Sequence, residues 1–365
     1  MKLLSTLLLL LCAQLATAEL VRDPYIGVRP AGMGNAFLAL SNDSNTFFYN
    51  PAGLAREKGV HFNLIDSSIG MDSMDTLRRM IATVWQGDYN NLIRPDRQYT
   101  RFNIRPSLTM PYFGFTFFNH FTSYNEMNDL QSLNAQVDLY AINDLGLAGA
   151  VGIPLGPYVS IGATGRAFQR TGVDTSLTAQ DLIDGLGIPT MEDLMDALYE
   201  NIFNRSGAGL GLAVDLGAMV SVPLPAGYPR WTLAATMNDV GRTTFRPIGS
   251  TNAPNSVPTT FNFGTALEFG HDGKGRQINL AFDFRHAFDD MNVIKKLHFG
   301  AEYRYKFFSV RGGLSNGYVT AGASIEFPPH TRIHFATYAS ELGATLWEKH
   351  QRWYMLQLVI GFNPN

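Results

Sequence analysis

Cysteine, charge and long apolar runs are all scarce in this chain. Its single cysteine is Cys12, near the start of 365 residues. A leader ending beyond it would carry away the only thiol, leaving none for disulfides, metal ligation or nucleophilic chemistry. Asp, Glu, Lys and Arg make up only 16% of the residues, where a soluble domain carries about a quarter. The net charge of −3 provides no basic footprint for nucleic acid. Beyond the first residues no segment approaches the run of about 18 apolar residues that a membrane helix needs. What remains is an exported, disulfide-free chain held by backbone pairing and packing.

Export is read from the start. Met1-Lys2 is a positive n-region, Leu3 to Leu11 an apolar h-region broken only by Ser5 and Thr6, and Ala16-Thr17-Ala18 a small-x-small cleavage site. Residues 1–18 are therefore expected to be a signal peptide cleaved after Ala18. Leu11 stands before Cys12, where lipoprotein processing needs a small side chain, which argues against acylation.

After about residue 100 the dominant pattern has a period of two. Leu133, Ala135, Val137 and Leu139 alternate with Asn134, Gln136 and Asp138. Leu210, Leu212, Val214 and Leu216 alternate with Gly209, Gly211, Ala213 and Asp215, and Ile278 to Arg285 and Leu297 to Tyr305 behave likewise. Successive side chains of a strand point to opposite faces, so each segment has one greasy face and one polar or small face. A soluble sandwich would show the same alternation. Segments of about 9 to 13 residues, enough to cross a tilted bilayer path, favour a barrel with its greasy face toward lipid.

Strands are expected at 60–69, 101–119, 131–142, 144–153, 158–170, 207–222, 229–240, 258–270, 276–286, 295–305, 307–315, 317–327, 331–340 and 352–362. That is an all-β, antiparallel transmembrane β-barrel of about 14 strands, as such barrels require an even number. The segment 101–119 is joined across Pro106 and Pro111, which predict a bulge or kink. The extended inserts 70–100, 171–206, 241–257, 287–294 and 341–351 all follow odd-numbered strands, whereas several even-numbered connections are tight. A periplasmic N-terminus then puts every long insert outside. Two inserts look helical, Met71 to Leu92 and 181–203, the latter with Thr190 as N-cap and Glu192-Asp193 in the first turn.

Residues 19–58 do not alternate. They carry Gly32-Met33-Gly34-Asn35-Ala36-Phe37, then Asn42-Asp43-Ser44, then Asn50-Pro51-Ala52-Gly53-Leu54. By themselves these are a glycine-bearing turn, a short apolar element and an Asx-Pro turn. Together they resemble the N-terminal hatch of FadL-type outer-membrane transporters of long-chain fatty acids and other hydrophobic compounds. PorV-like and TraF-like outer-membrane barrels share similar boxes. The resemblance implies a hatch over 19–58 inside a barrel formed by 59–365, with Asn50, Pro51 and Ala52 as its ligand or gating box. It departs from the family at the C-terminus, where Asn363-Pro364-Asn365 follow Phe362 and displace the aromatic end read by the barrel assembly machinery.

Little points to catalysis. Gly313-Leu314-Ser315-Asn316-Gly317 matches a hydrolase elbow, but it lies between two alternating segments and Asn316-Gly317 is a hairpin signal. His330 and His334 have helical spacing in a strand, so no metal site is expected, and no enzyme or cofactor. Asp138, Asp215, Glu268, Asp283, Arg285, Glu302, Arg304 and Arg311 lie on polar faces. A basic residue at the bilayer midplane costs about 2–4 kcal/mol on the lipid side, so they are expected to form a lumenal network that anchors the plug, some of them steering an amphiphile's head group. Trp231, Trp347, Trp353, Tyr338 and Tyr354 are expected in an interfacial girdle. The function expected is passive uptake of fatty acids or other hydrophobic small molecules across the bacterial outer membrane. The alternative is a PorV-like scaffold or shuttle whose extracellular loops hold a secreted or surface protein.

Overall fold

The alternating rows decide the architecture. In the computed structural model Leu210, Leu212, Val214 and Leu216 all point outward and are exposed, Leu212 by 78%, while Ala213 and Asp215 between them are buried. Ile278 and Leu280 face out and Asn279, Ala281 and Asp283 face in; Phe113, Phe115 and Phe117 face out and Thr116 and Phe118 face in. Arg101, Arg166, Arg170 and Arg311 are all turned inward, where their charge escapes the cost of facing lipid. The structure describes residues 25–73, 75, 78, 97–128, 136–178, 207–222, 224–225, 229–249, 252–270, 275–327, 330–341, 346–348 and 350–362.

The strands are β1 (His61–Met71), β2 (Arg97–Ile104), β3 (Ser107–Met110), β4 (Phe113–Asn128), β5 (Gln136–Leu155), β6 (Val159–Thr178), β7 (Gly207–Val222) and β8 (Arg230–Asn238). They continue as β9 (Phe245–Pro247), β10 (Thr260–Phe269), β11 (Arg276–Phe284), β12 (Leu297–Tyr305), β13 (Phe308–Ser315), β14 (Tyr318–Phe327), β15 (Thr331–Glu341) and β16 (His350–Phe362). All neighbours are antiparallel, and β1 pairs with β16, so the sheet closes without an edge. β2 and β3 lie end to end between β1 and β4 and form one stave, while β9 pairs only with β7. The closed wall therefore has fourteen staves.

That number matches the expectation, but two of its boundaries do not. The segment 101–119 is not one strand: Pro106 interrupts the stave between β2 and β3, and Pro111-Tyr112 is a two-residue hairpin closed by Met110 opposite Phe113. Tyr112 takes a positive φ of 71° there. Conversely, 131–142 and 144–153 are not separated by a turn at Asn143-Asp144. β5 runs straight through, because Asp144 faces Arg170 across the ladder and accepts two hydrogen bonds from it, each 2.7 Å long. One split and one fusion offset each other, and the parity of long and short connections survives. Asn316-Gly317 forms the hairpin between β13 and β14, with φ of 53° and 82°.

Inside the wall run residues 25–60. They form α1 (Val28–Gly32), α2 (Thr46–Tyr49) and a 3-10 turn over Pro51–Arg56. Pro51 opens that turn, and the Asn50 side chain accepts from the Ala52 amide at 3.1 Å, capping it. Nearly every hatch residue from Tyr25 to Leu54 is buried. The helical inserts expected at 71–92 and 181–203 lie almost wholly outside the described residues, as does the leader.

Candidate functional site: the hatch and the lumen around it

The Gly-Met-Gly run and the Asn-Pro-Ala box each meet a patch of glycines, on nearly opposite walls. Gly152, Gly162 and Gly217 lie side by side on β5, β6 and β7. A Cβ on Gly162 would sit 2.4 Å from the Ala52 nitrogen, and one on Gly217 would sit 2.1 Å from Asn50 Oδ1. The wall has been pared to backbone so that the turn at Pro51 can lie against it. Asn50 completes this seat, its amide donating to the carbonyls of Leu38 at 3.1 Å and Ala218 at 3.4 Å.

Across the lumen, Gly300 and Gly313 face each other on β12 and β13. A Cβ on Gly300 would approach the Met33 carbonyl oxygen to 2.3 Å. Gly34 has a φ of 64°, and any Cβ there would come within 2.2 Å of the Phe299 carbonyl oxygen, so this position is restricted both sterically and conformationally. The Gly34 amide donates to Thr320 Oγ1 at 2.9 Å, and His298 Nδ1 donates to the Gly34 carbonyl at 2.8 Å.

Charge supplements this second seat. Glu302 accepts from Arg29 at 2.6 and 3.0 Å, from Arg311 at 2.7 Å and from Asn279 at 2.8 Å. Arg29 reaches on to Asn42 at 2.7 Å and Asp43 at 2.9 Å, tying the hatch to itself as well as to the wall. Burial alone would raise the Asp43 carboxyl, but the Arg29 guanidinium and the Asn45 amide outweigh it and hold Asp43 below the usual carboxylate range. Asp283 accepts from the amides of Phe37 and Leu38 at 2.7 and 3.0 Å, and Arg56 pairs with Glu268. Asp66 on β1 holds Arg105 at 2.8 Å and receives the Ser44 hydroxyl at 3.2 Å.

Of the charged residues singled out in the sequence, Glu302, Arg304 and Arg311 cluster, Arg304 lying 3.8 Å from Glu302. Asp215 stands apart and binds Arg166 at 2.8 Å. Arg285 lies 5.4 Å from the Tyr49 ring centre. Asp138 lies in β5, its side chain outside the described residues. Sequence reasoning missed Arg29, Asp43, Asp66, Asp144, Arg166 and Arg170. Arg166 and Arg170 were recoverable, since both share a face of β6 with Ser160, Gly162 and Thr164, although Phe168 between them breaks that pattern.

Aromatic side chains also turn inward. Tyr25 of the hatch stacks on His120 at 4.7 Å and Phe48 meets it edge-on at 4.9 Å, and the chain of rings continues through Phe118, Phe168 and Phe245. A second group joins Tyr99, Tyr124, Tyr338 and Trp353 to Ile26, Val28 and Ala31 of the hatch. Arg101 lies over Trp353 at 5.1 Å and Arg170 over Phe245 at 4.9 Å. Trp353 and Tyr338 are thus lumenal and not part of a girdle: both are buried, Trp353 one residue out of phase with the outward row Tyr354, Leu356, Leu358, Ile360 and Phe362, and Tyr338 directly opposite it on β15. Trp231 and Trp347 are exposed. Two adjacent aromatics in an alternating strand (Phe117-Phe118, Trp353-Tyr354) are the signal that one of them faces in.

No protein-family model matches the chain, and no curated protein matches it by sequence. Its fold does match solved structures. The CymD monoaromatic hydrocarbon channel aligns with 93% of this chain and 97% of its own, at a TM-score of 0.53 and 11% identity. A mutant of the TodX monoaromatic hydrocarbon channel aligns over 93% and 98%, at 0.54 and 13%. The toluene transporter TbuX of Ralstonia pickettii aligns over 93% and 97%, at 0.51 and 13%. The chain shares the overall fold of these proteins, and its own sheet is a closed, fourteen-stranded antiparallel barrel.

Proposed function

We propose that this protein sits in the bacterial outer membrane and admits hydrophobic or amphipathic small molecules by passive diffusion past its hatch. The observation that carries this reading is the aromatic lining of the lumen. A water-filled pore keeps a polar interior, whereas here rings of Phe, Tyr and Trp are buried inside the wall beside arginines. Such a surface suits a ligand with an apolar body and offers cations to a head group, as an apolar pocket with a few placed polar groups does. The outward apolar rows supply the lipid-facing belt. Shared fold alone would not carry the function.

Passage requires the hatch to shift, and a ligand drives that shift only by binding the shifted state better. The Asn50-Pro51-Ala52 box is the element whose displacement from its glycine seat would open the lumen. The test is uptake of labelled oleate and labelled toluene by cells carrying the wild type, a deletion, or Phe168→Gln. Loss of uptake in the deletion and a marked fall in Phe168→Gln, with normal heat-modifiable migration of the barrel, support the proposal, and the preferred label identifies the cargo class. Uptake unchanged by deletion sinks it and leaves the scaffold reading, in which the outer loops hold a protein.

A further inference from the structure

At the short-turn end of the barrel, the seam between hatch and wall opens into a cavity of about 400 Å³, within the range of small-molecule sites. Its described lining is unusually one-sided. Arg56 and Lys58 come from the end of the hatch, Arg230 from β8 and Arg304 from β12, with Arg276 and Lys306 at the rim. The one carboxylate among them is Glu268, and it is already paired with Arg56. Arg304 is stretched 3.8 Å toward a Glu302 that Arg29 and Arg311 already occupy, and its Nε is buried without a hydrogen-bond partner. Like charges gathered around a partly enclosed space repel one another, and a bound anion relieves that repulsion.

We infer that this cavity is an oxyanion-binding site, taking the carboxylate or phosphate group of a small molecule or of an amphiphile's head. The inference rests on the cavity and its charges and stands apart from the uptake reading, because none of the aromatic lining residues borders it. Arg56 links the site to the hatch: an anion between Arg56 and Arg230 would compete with Glu268 for the guanidinium that fastens the hatch to β10.

The test is calorimetric titration of the detergent-solubilised full chain with inorganic phosphate, decyl phosphate, laurate and the uncharged decanol. Phosphate, decyl phosphate and laurate are expected to bind the wild type and to weaken about tenfold in Lys58→Gln/Arg230→Gln, the loss of one or two charge-assisted contacts. Decyl phosphate binding more tightly than inorganic phosphate assigns the site to an amphiphile's head; equal affinities assign it to a free anion. Heat-modifiable migration reports whether the double variant folds, and if it does not, Lys58→Gln alone carries the test, since Lys58 is exposed at the hatch end. Absence of anion binding, or anion affinities that do not change in a folded variant, overturns the inference. Decanol binding as tightly as decyl phosphate, equally in both proteins, overturns it too.

Discussion

The two glycine seats hold one peptide by different physics. At β5–β7 the hatch is retained by shape: a proline turn lies against bare backbone, where the neutral amide of Asn50 reaches the Ala218 carbonyl, and the one ionic tie of that turn, Arg56 to Glu268, goes to β10 instead. At β12–β14 the same close approach is reinforced by a buried carboxylate shared between Arg29 of the hatch and Arg311 of the wall. Neutral contacts of this kind are broken one at a time at modest cost, while a buried ion pair that loses one partner leaves an uncompensated charge. The contrast implies a hinge. On the uptake proposed above, the Asn-Pro-Ala end would be the part that yields to a ligand, and the Gly-Met-Gly end the part that stays.

The sharpest way to break this comparison is to remove the ionic partner. Arg29→Gln leaves Glu302 buried with only Arg311, Asn279 and a distant Arg304, and should cost about 3–5 kcal/mol of hatch retention. The measurement is hydrogen exchange of peptides covering 25–35: protection collapses in the variant while barrel strands remain protected. If 47–56 opens first in Arg29→Gln, the assignment of hinge and gate is reversed.

A smaller effect is expected at the shape-based seat. Gly162→Ala places a methyl 2.4 Å from the Ala52 nitrogen, and overpacking of this kind costs about 1–3 kcal/mol. Asn50→Ala removes the two carbonyl contacts and the cap, about 1–2 kcal/mol. Both should raise exchange over 47–56 and leave 25–35 protected, and both should alter uptake of an apolar solute without preventing barrel assembly. Equal loosening of the two ends would show that the hatch moves as one body.

Much of this arrangement was readable in advance, and the unread parts have physical causes. Alternation identifies the lipid face reliably because lipid tolerates few exceptions, which is why Leu210 to Leu216 or Ile278 to Asp283 needed no structure. The lumenal face is freer, since it may hold glycine, charge or an aromatic, so Phe118 and Trp353 were invisible to a rule that equates greasy with outward. Asn143-Asp144 imitates a turn until Arg170 is seen opposite it. The hatch motifs were visible as motifs, but the partners of Arg29 and Asn50 lie 273 and 168 residues away, a separation that no local pattern encodes.

Acid offers a gentler probe of the ionic seat. Asp43 titrates below the usual carboxylate range, so it contributes fully at pH values above about 4 and that contribution fades as pH falls through its lowered folded value. Calorimetric unfolding of the wild type and Asp43→Asn should therefore differ by a constant amount from neutrality to about pH 5, and the two should converge below about pH 4. A gap that widened on acidification would mean that Asp43 is held protonated, and that its tie to Arg29 is not ionic.

The smallest effect is the most exacting check on the shape argument. Gly149 is on β5, three residues from Gly152, and Gly165 is on β6, three residues from Gly162. A Cβ on either meets nothing within 4 Å. Neither is among the positive-φ glycines, so alanine should be accepted without backbone strain. Gly149→Ala and Gly165→Ala are expected to change stability by less than about 0.5 kcal/mol and to leave hatch exchange untouched. Chemically identical to Gly162→Ala and placed on the same strands, they differ only in what the new methyl would meet. Should they loosen residues 47–56 as much as Gly162→Ala does, the glycines would be acting through strand flexibility, and the seat would not be a matter of fit.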